Sequence, residues 1–316
     1  MYKNLEYVST KDMPHETWLE ERTKGIGGSD AATVAGLNEF SSPYSLWAEK
    51  TGKTVPADLS DKEAVRLGTD LEQYVAKRWE EKTGKKVRRC NNIIRNPEIP
   101  FAHANVDRLV VGEDAGLECK TSSSWDVAKQ CREGEIPNRY YVQCVHYMMV
   151  TGASRWYLGV LCFGVGFFDF TVERDESEIS ALKGIERDFW EHVLKKTPPA
   201  ADGSSATTDA INEIYNADDG SSIELFGFEA QLQAREALKA QIKELKEQAD
   251  SIDNDIKLQM GSASRGTCGK WTVSWSTTSR TNFDYKKFKE DNPTIDLTRY
   301  EKDSSSRTLR ITEKKR

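Results

Sequence analysis

The chain has 316 residues, 37 % of them hydrophobic and 30 % charged, enough for one large domain or a domain with an appendage, each with a core. Its formal charge of −6 argues against a general nucleic-acid coat protein, because phosphate binding is driven by Lys and Arg, but a local basic cluster still allows a nuclease. Six cysteines without a C-x-x-C pair, no apolar leader and no apolar run of spanning length argue against disulfides, a zinc knuckle or a membrane protein, so a cytoplasmic protein is expected.

From His15 to Gly52 the chain opens with Trp18 and Arg22, then runs Gly25-Ile26-Gly27-Gly28-Ser29-Asp30 into Ala31, Ala32, Val34 and Ala35. This predicts a glycine loop feeding a helix, with Ser29 or Asp30 as N-cap and helix-start amides suited to a phosphate oxygen. Such loops are more often purely structural. The next predicted helix runs from about Asp61 to Thr83, with Leu67, Leu71, Tyr74, Val75 and Trp79 at helical spacing, Glu72 beside them and Gly84 as the stop. Lys82, Lys85, Lys86, Arg88 and Arg89 form a basic cluster after it. Three strands are predicted, Lys85 to Arg95, Phe101 to Val111 and Ala115 to Thr121, the last two a hairpin turning at Gly112-Glu113-Asp114.

Pro137 introduces a helix to about Val150, on which Gln143 and Tyr147 share a face at i, i+4. Strands Arg155 to Phe163 and Gly166 to Val172 then lead into an amphipathic helix, Glu176 to Leu194. Pro198, Pro199 and the polar residues after them suggest three parts: a core over 1–197, a linker or extended arm over 198–223, and a helical, coiled-coil-like and β appendage over 224–316. In the appendage Leu238, Ile242, Leu245, Ala249, Ile252 and Ile256 make a short heptad seam, open between packing on the protein's own helices and on a neighbouring subunit. Lys270 to Ser276 is a strand candidate for pairing with Arg307 to Thr312.

The chemistry concentrates at Asp107, ten intervening residues, then Glu118-Cys119-Lys120. Alternation along a strand points Glu118 and Lys120 the same way, and a hairpin brings Asp107 beside them. Their neighbours Val106, Leu109, Val110, Val111 and Leu117 are apolar, so these charges are costly unless they bind something. Two carboxylates suit a hard divalent cation such as Mg²⁺, which keeps the waters that hydrolysis needs. Lys120 is placed to orient or deprotonate an attacking water and to offset transition-state charge, and Glu72 to complete the shell or hold a second ion.

Taken together, these motifs resemble the PD-(D/E)XK nucleases, and within them the lambda-type phage exonucleases, or YqaJ-like viral recombinases. The resemblance covers roughly Thr17 to Arg174: Arg22 with Gly25 to Ala32, Gly68-Thr69-Asp70-Leu71-Glu72, Asn105-Val106-Asp107, Leu117 to Thr121, and Gln143 with Tyr147 to Gly152. It implies an α/β (α+β) restriction-endonuclease-like core, a mixed central sheet flanked by helices. It further implies a Mg²⁺-dependent 5′→3′ exonuclease, with Mn²⁺ able to substitute, that digests one strand of duplex DNA from its end. The exposed 3′ strand passes to a phage single-strand annealing protein, and such enzymes form homo-oligomers, trimeric rings among them. By position, Asp107, Glu118 and the Cys119 carbonyl resemble metal ligands and Lys120 the catalytic lysine. Glu72 and Gln143 resemble supporting residues, Arg22 and Ser29 the pair that grips a 5′-phosphate, and Tyr147, on the helix of Gln143, a further DNA-binding residue. The usual Pro-Asp at the first acid is Val106-Asp107 here.

Some proteins of this fold carry an iron–sulfur cluster on one early and three late cysteines, whereas Cys268 is the one late cysteine here, so no cluster is expected. An endonuclease on the same fold and a non-catalytic DNA-end binding module remain as alternatives, the second disfavoured by the intact Asp107, Glu118 and Lys120.

Overall fold

The computed structural model describes residues 4–56, 61–293, 295–302 and 306–312, and the chain divides into two compact units, Met1–Asn216 and Ala217–Arg316. The first unit begins with strand β1 (Glu6–Ser9) and helices α1 (His15–Thr23), α2 (Gly28–Val34), α3 (Pro43–Lys50) and α4 (Glu63–Thr83). Next come β2 (Val87–Arg89), β3 (Asn92–Arg95), β4 (His103–Asn105), β5 (Arg108–Val110), β6 (Ala115–Ser122), α5 (Trp125–Arg132) and α6 (Asn138–Thr151). It closes with β7 (Arg155–Cys162), β8 (Gly166–Glu173), α7 (Glu176–Lys195) and α8 (Ser205–Ile214).

Five strands form a sheet in the order β2-β5-β6-β7-β8. It is antiparallel except at β6 and β7, which run parallel with Glu118 beside Leu158 and Lys120 beside Val160. A parallel pair needs a long crossover, and α5 and α6 supply it. Alternation sorts β6 into two faces. Leu117 and Ala115 pack with Tyr157 against Ala76 and Trp79 of α4, while Glu118, one residue out of phase, meets α6. The larger core, with Trp47, Met148, Trp156 and Leu158 among its members, contributes about 1.5–3 kcal/mol for each large side chain withdrawn from water. This is the mixed sheet with flanking helices that the PD-(D/E)XK resemblance implies.

The predicted strands Lys85 to Arg95 and Phe101 to Val111 each break in two. Their outer halves, β3 and β4, join β1 in a separate antiparallel sheet of order β1-β3-β4, while β2 and β5 belong to the large one. Periodicity shows no boundary at the second bend, where Ala104, Val106 and Leu109 keep apolar residues on both sides of Asp107, whereas the polar Asn91-Asn92 pair lies at the first. Ile93 and Ile94, adjacent and both fully buried, show that β3 is covered on two faces. The helix after the glycine loop also starts earlier than predicted. Gly27 is its N-cap, and Asp30 accepts the Gly27 N–H at 3.1 Å, so neither Ser29 nor Asp30 is the cap residue. Within 198–223, residues 205–214 form α8, whose Thr207 hydroxyl donates to Ser42 at the start of α3 (2.7 Å).

The second unit contains the long helix α9 (Glu229–Met260), strands β9 (Arg265–Cys268) and β10 (Trp271–Ser274) and helix α10 (Tyr285–Asp291). β10 pairs with β9, Trp271 beside Cys268, and not with Arg307 to Thr312 as predicted. The two-residue turn needs positive φ, which Gly269 provides at +54°, and a local hairpin closes a far shorter loop than the predicted partner would. Among the described residues no helix is long and apolar enough to cross a membrane.

Candidate active site

Asp107 lies at the bend between β4 and β5, where the chain leaves one sheet for the other. β5 pairs with β6 through Arg108 and Leu117, so the outer half of β6 extends past this pairing. Asp107 takes over there: its Oδ2 accepts the Cys119 N–H at 2.8 Å. Burial, followed by the charges of Glu118 and Glu72, raises the Asp107 carboxyl well above the ordinary carboxylate range.

Glu118 is 3 % exposed. Its Oε1 accepts from Gln143 Nε2 at 2.7 Å and meets Lys120 Nζ at 2.7 Å, whereas its buried Oε2 has no hydrogen-bond partner among the described residues. Burial opposes the Lys120 ammonium, but Glu118 and Asp107 outweigh it and hold its pKa above the usual lysine value. The Tyr140 ring lies 5.6 Å from Lys120 Nζ, and the Arg139 guanidinium sits 5.1 Å from the same ring. Gln143 Nε2 also donates to the Tyr147 hydroxyl (2.7 Å), which donates to the Asn105 carbonyl (2.9 Å). Burial, with Glu118 and Asp107 nearby, pushes the Tyr147 phenol well up, so it remains a donor.

Glu72 sits close enough for its charge to act on Asp107, but its carboxylate is held by Arg108. Arg108, 2 % exposed, also donates to Gln73 at 3.2 Å and to the Asp107 carbonyl at 2.8 Å. Sequence reasoning missed it. A lone arginine after Asp107 has no motif spacing, and the one available signal was a full charge on an otherwise apolar strand. Asn105 was missed too: its Oδ1 is buried without a partner among the described residues.

The donor set fits a hard cation. Glu118 Oε2 is a buried, unsatisfied carboxylate oxygen, and Asp107 is a carboxylate crowded by two others. Burial pushes the Cys119 thiol well up, so that residue offers its backbone carbonyl and not a thiolate. Among the described residues no group of three or more His, Cys, Asp or Glu side chains is arranged to hold a metal ion.

Arg22 and Ser29 form a second cluster. Arg22 donates to Ser29 Oγ at 3.0 Å, and its guanidinium lies 4.7 Å from the Trp18 ring centroid. Lys50 Nζ, also missed, donates to Asp30 at 2.7 Å and to the Arg22 carbonyl at 2.8 Å. Burial raises the Asp30 carboxyl, but Lys50 and Arg22 outweigh it and hold it below the usual range. The His103 imidazole, packed against Gly25 and Gly27, is driven down to about 3 by burial and by Lys50, so it is neutral. The glycine loop is anchored on both sides of Ile26, whose N–H donates to the Phe101 carbonyl (2.8 Å) and whose carbonyl accepts from His103 N–H (2.9 Å). Ring contact between Gly28 and Tyr147 joins this cluster to the acidic one.

Residues 17–154 match the model of the YqaJ-like viral recombinase domain. A curated relative, the uncharacterized protein YqaJ of Bacillus subtilis (strain 168), is 40 % identical over 293 residues, covering 91 % of each chain. Solved structures with a similar fold include an alkaline exonuclease (LHK-Exo) from Laribacter hongkongensis, with TM-score 0.48, 22 % identity, and coverage of 58 % of this chain and 94 % of that one. LHK-Exo in complex with dAMP gives TM-score 0.49 at 21 % identity and the same coverage. A phage related exonuclease from Haemophilus somnus 129PT gives TM-score 0.42 at 10 % identity, over 54 % of this chain and 96 % of that one.

Proposed function

Because the chain belongs to the YqaJ-like viral recombinase family, we propose that it is a Mg²⁺-dependent deoxyribonuclease, a 5′→3′ exonuclease that leaves 3′ overhangs for phage-type recombination. The observation that carries this reading is the meeting of Asp107, Glu118 and Lys120, with the buried Oε2 of Glu118 left without a hydrogen-bond partner among the described residues. Asp107, Glu118 and the Cys119 carbonyl are the groups that would hold the ion. When bound, Mg²⁺, for which Mn²⁺ would substitute, supplies charge at the phosphoryl oxygens and a more acidic water.

Lys120 offsets charge that builds on the phosphoryl group and orients the attacking water. Gln143 fixes the rotamer of Glu118, and Tyr147 fixes Gln143, so the acid is oriented from α6 before DNA arrives. Glu72, held by Arg108, supports the site by its charge on Asp107. Arg22 and Ser29 grip the terminal 5′-phosphate, which makes a free duplex end the substrate. The product strand passes to a single-strand annealing protein, and the chain assembles with other copies, as the resemblance to ring-forming trimers implies.

Linear duplexes with 5′-phosphate or 5′-hydroxyl ends and closed circles, incubated with protein and Mg²⁺, test the reading. Digestion of linear DNA alone, lost in each of Asp107→Ala, Glu118→Ala and Lys120→Ala, is the expected result. Near-wild-type cleavage by any one of these variants would overturn the site, and cutting of closed circles would favour an endonuclease.

A further inference from the structure

Helix α9 bears an apolar seam that stands exposed. Leu238, Ile242, Leu245, Ile252 and Ile256 are 58, 63, 63, 61 and 37 % exposed, with Ala249 completing steps of four and three. So regular a stripe on a 32-residue helix is the pattern of a surface made to be covered by another helix.

We infer that the seam is covered by α9 of a second copy of this chain, running antiparallel. Read in reverse, the seam matches itself. One register sets Leu238 against Ile256 of the second copy, Ile242 against its Ile252, and Leu245 against its Ala249. All six positions are then used, with a large residue facing alanine in the two central layers and large facing large outside them.

Charges flanking the seam select the orientation. Lys239 and Lys246 lie along one edge in its first part and Asp253 along the same edge in its last part. Antiparallel pairing brings Lys239 beside Asp253 of the second copy, twice by symmetry, and on the other edge Gln241 beside Asp255. Its one like-charge approach, Lys246 with its own copy at the two-fold axis, is relieved by long stems that carry the ammonium groups outward. A parallel in-register pair instead sets Gln241 against Lys246 and Gln248 against Asp253 and makes no opposite-charge pair. It also aligns the two helix dipoles unfavourably. The contact is two-fold, so it joins copies in pairs in addition to any ring formed by the first unit, and it does not depend on the nuclease reading.

Light scattering and sedimentation equilibrium on the full chain at micromolar concentration provide the test, with digestion of linear DNA as a separate readout of the first unit. The wild-type particle holds an even number of copies, and Ile242→Asp halves its mass. Lys239→Glu raises the dissociation constant roughly fivefold or more, from two lost exposed pairs and two new repulsions. Lys239→Glu combined with Asp253→Lys restores it, because the pair is rebuilt with its signs exchanged. A particle with one copy or an odd number, a mass unchanged by Ile242→Asp, or a double variant as weak as Lys239→Glu alone would each overturn the proposal. DNA digestion lost together with the mass change would mark a folding failure of the single variant, and the charge-exchange pair then decides.

Discussion

A β-carbon on Gly28 would lie 2.5 Å from Cε1 and 2.7 Å from Cζ of Tyr147, so α2 meets α6 with a ring against bare backbone. The ring has nowhere to retreat. Its hydroxyl is tied to Gln143 and Asn105, and its plane packs on Trp156 with centroids 5.0 Å apart. Gly28→Ala should therefore cost about 1–3 kcal/mol of stability by overpacking, and should slow cleavage by displacing Gln143 from Glu118. Thermal unfolding and digestion of linear DNA check both effects. An unchanged melting temperature together with unchanged cleavage would mean that the glycine loop and the acidic cluster are not coupled through this ring.

The elements nearest the chemistry were legible because their signals are local. Glu118 and Lys120 are two residues apart on one strand, and Gln143 and Tyr147 are one helical turn apart, so alternation and helical spacing set their faces. What reasoning along the chain could not see was long-range. Arg108 reaches Glu72 across 36 positions and Lys50 reaches Asp30 across 20, and neither pairing has a spacing rule. The split of the strands around Asp107 was hidden for a related reason. A bend between two sheets leaves the apolar pattern intact, and only the partners of β4 and β5 reveal it. The sequence pairing of Lys270 to Ser276 with Arg307 to Thr312 failed because it ignored a nearer partner across Gly269.

Asp107→Asn should stabilise the metal-free protein while abolishing digestion. Burial, then Glu118 and Glu72, raises the folded-state pKa of Asp107 above its unfolded value. Its protonation therefore favours the fold, fully below the ordinary carboxylate range, and this contribution is lost as pH rises through the raised pKa. Asparagine removes the crowded charge and keeps a carbonyl oxygen for the Cys119 N–H. In chelator at neutral pH the variant should melt higher, by about 2–4 °C for each kcal/mol relieved. At pH below the ordinary carboxylate range the difference should vanish. Divalent cation should then stabilise wild type and not the variant. A lower melting point for Asp107→Asn in chelator at neutral pH would contradict this account.

Arg108 should act through Glu72. Its buried guanidinium holds the Glu72 carboxylate and the Asp107 carbonyl at once, which fixes the approach of α4 to the bend that carries Asp107. Arg108→Gln should reduce activity or metal affinity about 10–100-fold, the usual effect of removing a group that orients a metal-site residue. Titration of cleavage against Mg²⁺ separates the two effects. Because both residues belong to one ion pair, Arg108→Gln combined with Glu72→Gln should be far less harmful than the product of the single effects. Strict additivity would show that they contribute independently.

Arg22 is expected to discriminate DNA ends. Its side chain remains 32 % exposed, and the nearest acid, Asp30 at 3.9 Å, is already taken by Lys50 at 2.7 Å. Glu21, next in sequence, is held by Lys24 and Arg95. The guanidinium is therefore steadied by the Trp18 ring and the Ser29 hydroxyl, without being spent on a close carboxylate. A terminal phosphate carries more negative charge than a diester, and a planar fork of donors matches its oxygens. A charge-assisted bond of this kind contributes about 1.5–3 kcal/mol, so Arg22→Ala should slow digestion of 5′-phosphate ends about 10–100-fold and hardly affect 5′-hydroxyl ends. The fold should survive, because Lys50 still neutralises Asp30 and Asp30 still accepts the Gly27 N–H. Matched duplexes differing only in that phosphate give the comparison. If wild type and Arg22→Ala show the same rate ratio on the two ends, Arg22 serves the packing of α1 against α2 and the end is recognised elsewhere.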